Sequence, residues 1–169
     1  MIPKMCYRMA AAGTLTATGT NSIAGIAVPY DRYSHVINGE APRPFRERIR
    51  PRALSITDQT VMHVQHDRTG VPLARVGAGT LTFDEAGEGL RFSAILPSTR
   101  SDVLEALQRG DLDGSVSIGF IVDEDEWDHH DKQSLREVTK GRLIEVSLVT
   151  AGAYPGARGT YIPGGMNNG

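Results

Sequence analysis

The sequence predicts a mainly β fold with some α content, a small closed or nearly closed β-barrel with one or more helices packed on it. Nineteen Gly and nine Pro among 169 residues indicate many turns, and therefore many short strands rather than a helical bundle. About six segments have strand patterns and one has a helical pattern. A hydrophobic content of 40% in a chain of this length is enough to bury a core.

The predicted strands are short apolar or alternating runs that end at turn residues. A turn cluster at 84–88 separates two of them as in a hairpin, and the Pro- and Arg-rich residues 38–51 are predicted to form a loop with an extended arm. The strands are predicted at 23–30, 60–65, 74–83, 89–96, 115–122 and 143–150.

The clearest helical pattern covers residues 101–109. Thr99 or Ser101 can cap its first turn, and Asp102 lies where a negative charge favours a helix start. Gly110 follows the last helical residue and ends the helix. The apolar stripe of this helix is formed by Val103, Leu104 and Leu107.

The composition limits the expected partners. A net charge of −2 provides no basic field, so nucleic acid is not an expected partner. Cys6 is the only cysteine, which excludes an internal disulfide. No apolar run approaches the length of a membrane span, and we expect a soluble, intracellular protein that binds no membrane. Residues 1–20 are predicted to be a flexible leader, 21–158 a single domain, and 159–169 a loose tail.

Three residues that could form a catalytic triad lie on separate predicted strands. His66 is predicted on the same strand face as Val64, Ser117 on the small-residue face of its strand, and Glu145 on a polar face beside Ser147. A serine hydroxyl becomes nucleophilic when a histidine removes its proton, and a carboxylate orients the imidazole. On the pattern alone, ordinary solvated side chains are the more common explanation.

Two alternatives use other residues. Asp67 is a rival for the carboxylate role, although on a continuing strand it would face away from His66. A metal hydrolase could use an acidic loop, but runs of acids are mostly solvated, and adjacent histidines rarely reach the same ion. The candidate metal ligands in that loop are Asp123, Asp128, His129, His130 and Asp131, and Trp127 is predicted to anchor the loop to the barrel.

Six segments in a fixed order resemble the tailed-phage prohead maturation proteases, the caudovirus prohead serine protease family, whose fold is similar to herpesvirus assemblin. One resembles the family's E-x-I-x-P-G-A-F motif at residues 47–54, and Gln65-His66-Asp67 is close to its N-H-D motif. The resemblance covers residues 23–157. The segments are 25–31, 45–54, 65–67, 110–114 with 117–120, 145–149 and 153–157.

The resemblance implies His66 as general base and Ser117 as nucleophile, with Glu145 at the third position and no cofactor or metal. A second histidine fills that third position in the herpesvirus relatives. The chain departs from the family at Arg52, where a glycine is usual, at Gln65, and at 151–153. One extra residue between 114 and 117 makes Ser115 a second candidate nucleophile. Backbone amides of 150–156 are expected to stabilise the oxyanion.

The family's task implies the substrates and the place of action. Its members cleave the scaffold protein, the major capsid protein and themselves inside the assembling phage head, so we expect this protease to work in the host cytoplasm within the prohead, encoded by a phage or a prophage. Whether it forms a homo-oligomer is left open. The alternative is a catalytically inactive, capsid-associated or scaffold-like β module that has kept the fold.

Overall fold

A computed structural model describes residues 4–9, 16–19, 21–30, 32–130 and 132–150. The chain in these ranges is mainly β, as the sequence predicts. One α-helix, α1 (Ser101–Arg109), accompanies the strands, with short 3-10 turns at Val76–Ala78 and Ser98–Arg100. The strands are β1 (Met5–Met9), β2 (Thr16–Gly19), β3 (Ser22–Pro29), β4 (Phe45–Ile49), β5 (Leu54–Ser55), β6 (Val61–Val64), β7 (Ala74–Arg75), β8 (Leu81–Ala86), β9 (Gly89–Ile95), β10 (Ser115–Asp128) and β11 (Ser134–Val149).

The described strands form two sheets. The larger has the order β1-β10-β11-β6-β7, and β4 and β5 also pair with β11. The smaller has the order β2-β3-β9-β8. These strands do not close into one ring, so the closed or nearly closed barrel that the sequence predicts is not confirmed. One hydrophobic core includes residues of both sheets and of α1, among them Ile23, Phe92, Leu107, Phe120 and Leu148.

The strand β11 organises the larger sheet because it pairs along both edges. On one edge it is antiparallel to β10, with Ser117 opposite Ser147 and Gly119 opposite Glu145. On the other edge it pairs in parallel with β4, β5 and then β6. The last residues of β6 therefore lie one strand away from the start of β10.

The predicted helix is confirmed with the same bounds, but its predicted cap is wrong. The cap position is Arg100, which makes no side-chain capping bond, because residues 98–100 already turn as a 3-10 segment. The Arg100 guanidinium instead binds Asp102 at 2.9 Å. Gly110 ends the helix as predicted, with φ of 80° and its N–H donated to the Leu107 carbonyl.

The largest departures from the predicted elements involve charged strands. The predicted loop 38–51 contains β4, and the predicted strands 115–122 and 143–150 belong to a much longer hairpin. That extension is held by cross-strand ion pairs, which apolar patterns do not reveal. The pairs are Asp123–Arg142, Glu124–Lys140 and Asp125–Arg136.

Part of the predicted leader is also strand. The segment β1 pairs with β10, and β2 pairs with β3. The division of the chain at residues 20 and 158 stays a prediction, and the predicted tail 159–169 lies outside the described residues.

A buried carboxylate explains why β4 escaped prediction. Glu47 is 3% exposed, and it accepts hydrogen bonds from Arg8 at 2.8 Å and from Arg136 at 2.9 Å. The inward-facing side chains of β4 are therefore Phe45, Glu47 and Ile49, so a charged residue stands between two apolar ones. A buried charge needs such partners, because water no longer solvates it.

Replacing Glu47 by alanine is expected to lower the free energy of unfolding by about 3 kcal/mol, because two arginines lose a shared buried partner. Urea denaturation at neutral pH measures this change. The matched control is Glu126→Ala, since the Glu126 side chain is 67% exposed and pairs with Arg50 on the surface. The control should cost less than about 1 kcal/mol. Equal effects of the two substitutions would contradict the buried network.

Candidate active site

The three residues of the predicted triad come together in the structure. The Nε2 atom of His66 lies 2.8 Å from the Ser117 hydroxyl, and its Nδ1 atom is hydrogen-bonded to Oε1 of Glu145. Ser117 and Glu145 are buried, whereas the His66 side chain is 25% exposed. The imidazole therefore bridges a hydroxyl and a carboxylate, with one ring nitrogen for each.

The register of three adjacent strands creates this arrangement. Glu145 in β11 stands opposite Gly119 in β10 and beside Val61 in β6. Ser117 is two residues before Gly119, on the same face of β10. Its own partner, Ser147, donates a hydrogen bond to Glu145 Oε1 at 3.3 Å. The polar faces predicted for these two strands thus point to the same side of the sheet.

His66 does not lie on the predicted strand. The strand β6 ends at Val64, and Gln65 and His66 follow with φ of 53° and 57°, in the left-handed region. Such a conformation costs of order 1 kcal/mol for a residue with a side chain. The turn is fixed by hydrogen bonds from the Gln65 N–H to the Leu148 carbonyl and from the Asp67 N–H to the Val64 carbonyl.

His66 reaches the triad through this turn and not through strand alternation. Strand alternation predicts that His66 shares a face with Val64, whereas the observed imidazole is placed by the sharp left-handed turn. The outcome is the predicted pairing with Ser117, but the alternation argument for it is wrong. Positive φ at two consecutive residues other than glycine is uncommon, and the sequence carries no turn signal such as Asn-Gly here.

The rival carboxylate Asp67 is engaged within its own turn. Its Oδ1 atom accepts hydrogen bonds from the backbone N–H and the hydroxyl of Thr69, at 2.9 and 2.6 Å. Those hydrogen bonds lower the pKa of Asp67. The carboxylate that contacts the imidazole is Glu145.

The Glu145 carboxylate is held ionised in a buried position. Burial alone would raise its pKa, but the hydrogen bond from His66 and the nearby His66, His63 and Arg68 side chains lower it below the ordinary value. The second oxygen, Oε2, accepts no hydrogen bond from the described residues and lies 3.5 Å from the Arg68 guanidinium. An ionised carboxylate in this position favours a proton on Nδ1 of His66, which leaves Nε2 free to accept the serine proton.

Two residues near the triad are not among the predicted site residues. Arg68 supplies positive charge beside Glu145, and His63 is buried on β6, where it pairs with Ser147. Desolvation lowers the pKa of His63, although the Glu145 charge opposes the shift. Neither residue could be found from strand alternation, because Arg68 follows the left-handed turn and His63 resembles any strand histidine.

Gly119 provides the space that Glu145 occupies. A Cβ atom at this position would lie 2.7 Å from Cγ of Glu145 and 3.2 Å from a ring carbon of Tyr7. The first distance is shorter than carbon atoms tolerate, and Glu145 is enclosed on all sides. The glycine is therefore required by the close approach of the buried carboxylate.

We expect Gly119→Ala to lower the free energy of unfolding by about 1–3 kcal/mol, because the added methyl group must displace Glu145 or separate two paired strands. Chemical denaturation measures the loss. Gly87→Ala serves as the control, since a Cβ there meets nothing within 4 Å. An alanine at 119 that is tolerated as well as one at 87 would refute the close packing around Glu145.

The second candidate nucleophile, Ser115, lies two residues earlier on the same strand. It is buried, it stands opposite Val149, and its N–H is bound by Asp113 Oδ1 at 2.9 Å. The hydroxyl beside the imidazole is that of Ser117. The expected oxyanion donors at 150–156 fall, except for Thr150, outside the described residues.

The described residues of the alternative metal site are engaged in separate pairs. Asp123 pairs with Arg142, Asp128 pairs with His130, and His129 is hydrogen-bonded to Ser134. Asp131 lies outside the described residues, and the rest of the described chain contains no cluster of three metal-ligating side chains. Trp127 packs on Phe45 with ring centres 5.1 Å apart, but it lies within β10 and not in a loop, so the predicted anchoring of a loop to a barrel is not confirmed.

The chain of hydroxyl, imidazole and carboxylate is the arrangement by which serine hydrolases activate their nucleophile. Comparison with protein families gives the particular class. The family model described as caudovirus prohead serine protease matches residues 8–165, nearly the whole chain, and the protein therefore belongs to that family. Membership implies a serine peptidase of phage head maturation. No match was found among curated proteins or among solved structures.

A helix that crosses a membrane needs a long run of apolar residues. None of the helices in the described ranges has the length and apolar character that such a crossing requires.

Proposed function

We propose that this protein is a serine endopeptidase that cleaves the scaffold protein and the major capsid protein during phage head maturation, and that it also cleaves itself. Ser117 is the nucleophile, His66 the general base and Glu145 the carboxylate that orients the imidazole. The observation that carries the proposal is the 2.8 Å contact between Ser117 Oγ and His66 Nε2, with Glu145 bound to the opposite ring nitrogen.

The proposed reaction begins when the Ser117 oxygen attacks the carbonyl carbon of a peptide bond while its proton passes to Nε2 of His66. Glu145 stabilises the resulting imidazolium through its hydrogen bond to Nδ1. The imidazolium then protonates the leaving amine as the C–N bond breaks, which leaves an acyl ester on Ser117. A water molecule, activated by His66, hydrolyses this ester and restores the hydroxyl.

Family membership supports the proposed substrates and the proposed place of action. A peptidase of phage head maturation acts within the assembling capsid, and its substrates are capsid-related. We propose that the scaffold and the major capsid protein are cut inside the prohead, in the host cytoplasm. The lowered pKa of the Glu145 carboxyl keeps it ionised at neutral pH, as its proposed role requires.

Co-expression with the major capsid protein of the same phage tests the function. When the unsubstituted protease is co-expressed, mass spectrometry should find capsid fragments and a shortened protease. When the His66→Ala variant is co-expressed, it should find only full-length proteins. Fragments that persist with His66→Ala would reject the assignment of the base. If the intact chain produces no fragments of capsid protein, scaffold or itself, the inactive β module becomes the better description.

A further inference from the structure

Strand β10 carries Ser117, and the edge of β10 that does not pair with β11 is occupied by β1 of the same chain. One edge of β10 is paired with β11, and β1 lies antiparallel along the other, with Met9 opposite Ser117 and Tyr7 opposite Gly119. An extended peptide is commonly recognised by addition as a strand to such an edge. The strand β1 therefore fills the place that an incoming peptide strand would need beside Ser117.

The backbone of β1 also contacts the hydroxyl of Ser117. The carbonyl oxygen of Arg8 lies 3.2 Å from Ser117 Oγ, whereas His66 Nε2 lies 2.8 Å from it. A serine hydroxyl has one hydrogen, so it donates to one of these acceptors at a time. When the Arg8 carbonyl receives that hydrogen bond, the hydroxyl is turned away from its base.

Side chains of β1 cover the imidazole and tie the strand down. The ring of Tyr7 meets the ring of His66 edge-on, with centres 4.6 Å apart. The Arg8 guanidinium binds Glu47 at 2.8 Å and Glu40 at 3.0 Å. These ion pairs hold β1 to residues outside the triad, so the strand can be loosened without altering a proposed catalytic group.

We propose that β1 is an autoinhibitory strand, which occupies the substrate-binding edge of β10 and must leave before an extended peptide can pair there. This inference rests on the proposed function, because autoinhibition presupposes an activity, but its test measures peptide binding and not cleavage. A peptide then binds only those molecules in which this edge is free. Its apparent affinity is therefore the intrinsic affinity multiplied by the fraction of such molecules. Loosening β1 should strengthen peptide binding without adding any contact to the peptide.

The test uses the full chain with Ser117→Ala, so that nothing is cleaved during the measurement. The probe is a fluorescent synthetic peptide of residues 4–9 with serine in place of Cys6, followed by fluorescence anisotropy. Adding Arg8→Ala should tighten binding about fivefold, because the internal strand loses its ion pairs. Arg91→Ala, which removes an exposed pair with Asp84 in the other sheet, should leave binding unchanged. Equal peptide affinities with and without the Arg8→Ala substitution would overturn the proposal.

A reversible lock provides the second measurement. Met5 and Ile121 are directly paired, and paired residues of antiparallel strands have Cα atoms at distances that a disulfide can span. In the chain with Met5→Cys, Ile121→Cys and Cys6→Ser, the oxidised form should lose peptide binding and the reduced form regain it. Peptide binding that is insensitive to this disulfide rejects autoinhibition. Capsid cleavage is scored separately, so an inactive but peptide-binding protein would reject the proposed function alone.

Discussion

Substitution of Ser117 by alanine is expected to abolish cleavage of the major capsid protein, with a fall in kcat of at least about 10⁴-fold. The reason is that the reaction loses its only attacking atom, while the imidazole and the carboxylate remain. The rate is measured by quantitative gel analysis of a purified capsid protein mixed with each variant. Folding should persist, because alanine fits wherever serine does and the loss of one hydrogen bond costs about 1 kcal/mol.

The matched control for this substitution is Ser115→Ala. Both serines are buried on the same face of β10, and they differ in that only the Ser117 hydroxyl lies at His66. Ser115→Ala should therefore retain cleavage within a few-fold of the unsubstituted chain. If Ser115→Ala were the inactive variant and Ser117→Ala the active one, the nucleophile would have to be reassigned.

Replacing Glu145 with glutamine should reduce kcat by about 10³–10⁴-fold while KM changes little. Glutamine has the shape of glutamate, but its amide group can donate a hydrogen bond to Nδ1 of His66. That bond favours the tautomer with the proton on Nε2, which can no longer accept the proton of Ser117. The effect should appear in single-turnover kinetics as a slower chemical step.

Glu137→Gln is the control for the charge change. Glu137 is on the same strand as Glu145, but it binds Arg48 and Arg50 at 2.6 and 2.7 Å, away from the triad. Neutralising it should leave kcat unaltered. A Glu145→Gln variant with full activity would show that His66 does not need the Glu145 carboxylate. The third position of the triad would then have to be assigned to another group.

Local patterns in the sequence identify the site residues on the two core strands. Ser117 alternates with the buried Val116 and Ile118, and Glu145 alternates with Val146 in the same way, so their faces could be predicted. Their register could not be predicted from alternation, because it depends on a bulge after Gly119 that shifts β10 against β11. The pattern makes the three residues candidates for a triad, and the resemblance to a known family favours that role over ordinary solvated side chains.

Elements built from charge or from unusual backbone conformations escaped prediction. The strand β4 buries Glu47, and the outer part of the long hairpin is held by ion pairs, so neither has an apolar pattern. The left-handed turn at His66 depends in part on the hydrogen bond from the Gln65 N–H to the Leu148 carbonyl of β11, which is distant in sequence. Arg52 also has a positive φ, of 62°, which gives a physical reason for the glycine usual at this position in the family.

The central place of β11 makes the triad an all-or-none assembly. This one strand carries Glu145, aligns the strand that bears Ser117 on one side, and receives the turn that bears His66 on the other. A slip of one residue along either edge would point these groups to opposite surfaces. A chain in which β11 is not yet paired along both of its edges therefore lacks the triad, and with it the proposed activity.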